Sequence, residues 1–260
     1  MARGRNRLAA LALPPLLLVL LIATRTAAVE EYGVWDSKFT GTLSLIQGED
    51  GGSCGYGKTN GVRPYNLPTI AISSKLYENG TGCGACYALQ CVKSQMCRQD
   101  KIVAVTATSE CIGQPRSGIC RPGKKGVIMS PWVYDQIVKN RVAGNIRVRL
   151  ARIPCKRRGG LIFKPVMGTD YFIGVLLMNA AGPGGIASVH MKVGGAGWLP
   201  MARNFGGVWS ASGVKVIGVP ISFHVVSALK KFSVTALNIL PATWRVNGTY
   251  VFPKNFPLTA

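Results

Sequence analysis

Three of the chain's 8 cysteines fall within ten residues, Cys83, Cys86 and Cys91 in GCGACYALQC, with glycine on both sides of the first. Such spacing serves three chemistries: a thiolate metal site, a dithiol redox switch, or covalent staples. The compartment chooses among them, because disulfides persist outside the cell while cytosolic thiols stay reduced. Residues 1–28 read as a secretory signal peptide: Arg3, Arg5 and Arg7 precede an apolar run from Leu8 to Ala23, and Ala27 and Ala28 offer a cleavage site. That run holds Pro14 and Pro15 and falls short of the roughly 20 apolar residues a membrane span needs, so no transmembrane span is expected. Cys54, Cys83, Cys86, Cys91, Cys97, Cys111, Cys120 and Cys155 are then an even set in an exported chain, and disulfides with no free thiol are expected. A tetrahedral zinc set is not, since the chain has only two histidines, His190 and His224, both in strand-like segments that suit structural roles; no metal and no cofactor is expected.

Carboxylates are the other reactive groups. Acid–base cleavage of a glycosidic bond needs two of them, one protonated and one ionised. Glu30, Glu31, Asp36, Glu49, Asp50, Glu78, Asp100, Glu110 and Asp135 are scattered through the first part of the chain. Glu49 or Asp50 with Glu110 is a conceivable pair, but acids scattered through loops more often serve solvation. The sequence has no nucleophile triad, phosphate loop or internal repeat.

These groups need elements to position them. IVAVTAT (residues 102–108) alternates and is rich in β-branched residues, and NIRVRLARIPC puts Ile146, Val148 and Leu150 on one face with Arg147 and Arg149 on the other, so both read as strands. Between them SPWVYDQIVKNR opens with Ser130 as N-cap and Pro131 at the first helical position, which predicts a helix. After Cys155 cysteines cease, and LIFKPV, YFIGVLLMN, ASVHMKV, KVIGVPISFHVV, FSVTALNIL and TYVF read as the strands of a β-sandwich. The basic, glycine-ending CKRRGG (155–160) reads as a short linker, dividing the chain into residues 29–156 and 157–260. A formal net charge of +21, about +17 without residues 1–28, suits an extracellular polyanion such as acidic pectin better than nucleic acid. From Arg157 onward Asp170 is the lone acid. Asn79-Gly-Thr81 and Asn247-Gly-Thr249 are N-glycosylation sequons.

Eight segments together resemble the plant expansins in order and spacing: GGSCGYG, NGTGCGACYALQC, VTATSEC, SPWVYDQI, RIPCKRRGGLIF, GWLPMARNFGGVW, NILPATW and TYVFPKNF. VTAT, CKRRGG and the W-x-x-M-x-R-N-x-G-x-x-W arrangement are most similar to the alpha type. The resemblance, over about Ser37 to Phe256, implies an all-β chain: a double-psi β-barrel like that of family-45 endoglucanases, with one or two short helices, then an immunoglobulin-like β-sandwich that binds cellulose. It implies disulfides Cys54–Cys83, Cys86–Cys155, Cys91–Cys97 and Cys111–Cys120. It also implies a monomeric, secreted, non-enzymatic protein that loosens plant walls by weakening contacts between cellulose and xyloglucan. A carbohydrate-binding protein without loosening activity and an endoglucanase are the alternatives.

Residue by residue, the resemblance places Thr40, Tyr56, Thr108, Ser109 and Glu110 in a barrel groove. It places Tyr171, Phe172, Phe205, Trp198 and Trp209 on a polysaccharide-binding face, with Tyr171 rather than Phe172 expected outside, and with core burial an equal alternative for Trp198, Trp209 and Trp244. Departures cluster in the groove. A His-Phe-Asp triplet of the family is replaced by Gly126, Val127 and Ile128, and the aromatics after the threonine by Gly41 and Thr42. Ala107 offers no carboxylate where beta-type relatives have aspartate, and Phe205 replaces a tryptophan. In hydrolytic relatives the aspartate of that triplet is the general acid, and isoleucine cannot donate a proton.

Overall fold

The computed structural model describes residues 33–43, 52–59, 61–66, 68–112, 118–141 and 144–258. The signal-peptide reading, Glu49 and Asp50 lie outside these residues. Six strands close a barrel in the order β1-β5-β2-β4-β3-β6: β1 Asp36–Leu43, β2 Thr69–Ile72, β3 Cys86–Cys91, β4 Ile102–Glu110, β5 Gly126–Met129 and β6 Ile146–Ile153. The β1–β5 and β2–β4 pairs are parallel, the others antiparallel. Alternation fills the barrel with Phe39, Ile70, Ile72, Leu89, Val103, Val105, Val127, Val148 and Leu150.

Two short helices lie on the barrel, α1 Ser74–Tyr77, which runs into a 3₁₀ turn at Glu78–Gly80, and α2 Pro131–Ile137. The N-terminus of α2 is the one its sequence predicts: Pro131 opens the first turn, and the Ser130 hydroxyl accepts a hydrogen bond from the Val133 amide. Val133, Tyr134 and Ile137 face the core. The helix stops short of the Val138–Arg141 part of its motif because Val138 turns extended and bridges Cys97.

The rest of the chain forms eight strands, β7 Leu161–Thr169, β8 Phe172–Met178, β9 Ile186–Val193, β10 Leu199–Phe205, β11 Val208–Ser212, β12 Ile221–Ser227, β13 Ser233–Leu240 and β14 Tyr250–Phe252. Their order is β13-β12-β9-β10-β11-β8-β7-β14, with β10 joining two layers. Leu161, Phe163, Ile173, Val175 and Leu177 of one layer meet Val189, Met191, Ile221, Phe223 and Val225 of the other, and Phe163 stacks on Phe223 at 5.0 Å. The fold is thus all-β, a barrel followed by a sandwich. Strands β10 and β11 come from GWLPMARNFGGVW, a stretch whose periodicity does not announce them.

Four disulfides staple the barrel and leave no free cysteine among the described residues: Cys54–Cys83, Cys86–Cys155, Cys91–Cys97 and Cys111–Cys120. These are the pairs that the resemblance implies. Each constrains the unfolded chain by about 2–4 kcal/mol.

The linker reading of CKRRGG is corrected by the packing. Cys155 is buried and bridges Gly182, and Asn179 donates to the carbonyls of Arg158 and Gly160. Arg157 turns against the outer face of β4, where it donates to Thr106 Oγ1 at 2.8 Å and lies 4.9 Å over the Tyr65 ring. Basic composition alone suggested a solvated tether. Instead the guanidinium finds oxygen acceptors and an aromatic face that repay its desolvation.

Candidate functional site

The wall of the candidate groove is a row of residues in register across four barrel strands: Thr42 of β1, Ile128 of β5, Ala71 of β2 and Ser109 of β4. Ser109 forms its polar end. Its hydroxyl accepts from the Ser53 amide at 3.3 Å and bonds the Ser53 hydroxyl, while Tyr77 donates to the Ser53 carbonyl at 2.8 Å. Burial, and then the charge of the half-buried Glu110 carboxylate, raise the pKa of Tyr77 above its usual 10.0. Ser53, Ser109 and Glu110, half-buried, can therefore hydrogen-bond a polyol, with buried Tyr77 holding the Ser53 carbonyl from behind. Ser53 and Tyr77 were missed by sequence reasoning, because their link to Ser109 is made only by the closed barrel.

In the middle of the row, beside Ser109, Ala71 and Ile128 pack on Cys111, Ile119 and Cys120. An apolar cluster closed by a disulfide thus occupies the position where the resemblance calls for an acid. No proton can be delivered from that point.

The five groove residues do not stay together. Thr40 is half-exposed on β1, while Ser109 and Glu110 are half-buried at the end of β4. Thr108 is buried at 1% exposure and Tyr56 at 9%, and Tyr56 lies against Tyr65 with ring centres 4.4 Å apart. Tyr56 is therefore a seam residue between barrel and sandwich. Around it, Arg203 donates to the carbonyls of Gly80, Gly206 and Ile186 and covers the Trp209 ring at 4.3 Å. Tyr56, Tyr65, Arg203 and Trp209 line a small cavity of about 10 Å³, room for one water at most.

The aromatic residues separate in the same way. Tyr171, in the β7–β8 turn, is 59% exposed, and Phe205, at the end of β10, is 46% exposed and packs over Gly55 of the barrel. Phe172 is half-buried. The core-facing residues of β8 are Ile173, Val175 and Leu177, so Phe172 falls on the outer face, and neither it nor Tyr171 turns into the core. Trp198, 42% exposed, belongs to the other layer, edge-on to the His224 ring at 6.1 Å. Trp209 and Trp244 are buried at 4% and 5%, and Trp209 has its face covered by Arg203, so neither presents a platform to a sugar.

His190 and His224 are cross-strand partners on the side of their layer away from its core, with ring centres 6.4 Å apart. His224 Nδ1 bonds Thr235 Oγ1, whereas buried His190 Nδ1 has no partner among the described residues. No group of three or more His, Cys, Asp or Glu side chains that could hold a metal ion occurs among the described residues. Asn79 and Asn247 are exposed in left-handed turns. No helix among the described residues is long and apolar enough to cross a membrane.

Comparison with known proteins bears on this geometry. Residues 163–241 match the family described as Expansin C-terminal domain, and residues 69–150 match DPBB_1, described as lytic transglycolase. The chain is 34% identical to Expansin-A10 of Oryza sativa subsp. japonica, over 77% of this chain and 78% of that protein. It is 34% identical to Expansin-A7 of Arabidopsis thaliana, over 79% of each. The crystal structure of apo Clavibacter michiganensis expansin superposes with a TM-score of 0.65 at 15% identity, covering 88% of this chain and 99% of that one. A mutant of that expansin in complex with cellohexaose superposes with a TM-score of 0.64 at 18% identity.

Proposed function

The chain belongs to the expansin family, and from that premise we propose that it is a secreted plant cell-wall protein that weakens non-covalent contacts between cellulose and matrix glucans without hydrolysis. The observation that carries the non-hydrolytic reading is the apolar cluster around Ile128, which among the described residues puts hydrocarbon beside the Ser53 and Ser109 hydroxyls at the position where the resemblance calls for an acid. In this reading the sandwich, residues 157–260, anchors the protein by stacking Tyr171, Phe172 and Phe205 on glucose rings, and the groove of residues 29–156 works on the adjoining glucan. The cellohexaose complex of the bacterial relative supports a cello-oligosaccharide as the ligand class. Removal of residues 1–28, glycans at Asn79 and Asn247 and a monomeric state belong to the same proposal.

A second reading, a wall-binding protein that has lost loosening activity, is favoured by the same cluster and by the burial of Tyr56 and Thr108, which thin out the groove. Constant-load extension of heat-inactivated wall strips separates the two. Prompt creep without release of reducing sugar is the expected result. Binding without creep would establish the second reading, and sugar release abolished by Glu110→Gln would establish hydrolysis. In cellulose pull-down, Tyr171→Ala with Phe205→Ala should weaken binding about tenfold or more, from the lost apolar contact of two rings; unchanged binding would overturn the proposed face.

A further inference from the structure

We infer that the outer face of β1 and β6 is a binding site for a polyuronate, an acidic matrix polysaccharide with a carboxylate on each sugar. The inference rests on the proposed wall location but not on loosening. Phe39 of β1 and Ile146, Val148 and Leu150 of β6 fill the barrel, so the residues between them face out. Thr40 and Arg147 are cross-strand partners there, with Arg149 two residues further along β6 and exposed Lys38 two residues before Thr40.

Arg149 is held in place. Its Nε donates to Gln90 Oε1 of β3 at 2.7 Å, and its guanidinium carbon lies 4.4 Å from the centre of the Trp35 ring. A guanidinium fixed on an indole presents a rigid fork that matches a carboxylate in two-point contact, and it loses little freedom when it binds. The acid on β1, Asp36, is ion-paired with Lys125 and also faces Lys38, whereas among the described residues Arg147 and Arg149 have no ion-pair partner. Two arginines on alternate positions of one strand are a line of cations about 7 Å apart, suited to successive charges on an extended chain. A neutral glucan gains nothing from such a line. The excess of positive charge over the whole mature chain steers a polyanion towards it.

The test is the affinity of the full-length mature protein for fully de-esterified polygalacturonate at low and physiological salt, beside its methyl-esterified form. Arg147→Gln, on an exposed side chain, and Arg149→Gln should each weaken binding of the acidic polymer by about fivefold, and the double variant by more than about tenfold. Arg149→Lys keeps the charge but loses the fork and the stacked plane, so it should still weaken binding. Three results would overturn the site: equal affinity for the methyl-esterified polymer, a double variant within about twofold of the parent, or an equal loss from Lys215→Gln with Lys254→Gln. The last would mean attraction by net charge alone. Cellulose pull-down of the arginine variants should be unchanged, so failure here is distinct from failure of the proposed stacking face.

Discussion

Tyr56 and Tyr65 meet ring to ring inside the seam, and both residues are buried. Burial raises the pKa of both phenols above the usual 10.0; for Tyr56 the charge and hydrogen bond of Tyr65 add to the rise, and Arg157 and Arg203 pull part of it back. A raised folded-state pKa contributes stability that is complete below the unfolded value of about 10 and is lost as pH rises through the folded value. The protein should therefore lose stability in alkali, with these two phenolates appearing only as it unfolds, and Tyr56→Phe should flatten the loss. Phenolate absorbance followed beside circular dichroism checks this; two extra phenolates forming reversibly near pH 10 in a native spectrum would contradict it. The sequence resemblance put Tyr56, in GGSCGYG, among the groove residues. Its true neighbours, Arg157 and Arg203, come from beyond Cys155, and no spacing signals that meeting.

At the scale of elements, β5 carries the main departure from a hydrolytic barrel. Its Ile128 lies in register with Ala71 and Thr42 and packs against Cys111, Ile119 and Cys120. Ile128→Asp would put a carboxylate among apolar side chains, at a cost of about 1–3 kcal/mol, and should lower the denaturation midpoint without creating reducing-sugar release. A variant as stable as the parent that cleaves cellulose would show the site to be more open and more competent than its packing allows. Strands with strict alternation, such as Ile146–Val148–Leu150, were legible in the sequence, as was the Ser130–Pro131 start of α2, because each rests on local physics. Strands β10 and β11 were not. β10 does alternate in burial, but Arg203 takes one of its inward positions and Gly206 and Gly207 interrupt the run, so no apolar alternation marks the pair in the sequence.

For the whole molecule, barrel and sandwich meet backbone to backbone. Gly206 sits at φ +49, and a Cβ there would run into the backbone of Ser53 and Cys54; Gly207 donates to the Cys54 carbonyl at 3.0 Å; Gly84 and Gly184 approach each other just as closely. The Cys86–Cys155 disulfide pins the end of the barrel part to β3, so a seam that opened would hinge from Cys155 beside the barrel. Gly206→Ala should cost about 2–4 kcal/mol, combining left-handed strain with a clash that only separation relieves. Gly218→Ala is the control: φ is +77 there and nothing lies within 4 Å of the added methyl, so it should pay the strain of about 1 kcal/mol alone. Small-angle scattering should show Gly206→Ala more extended than the parent and Gly218→Ala unchanged. If the groove must be held beside the stacking residues to act on a glucan next to the anchored cellulose, Gly206→Ala should also lose creep activity while keeping cellulose pull-down. Full creep from a measurably opened molecule would mean that the two parts act independently, with the seam contributing only stability.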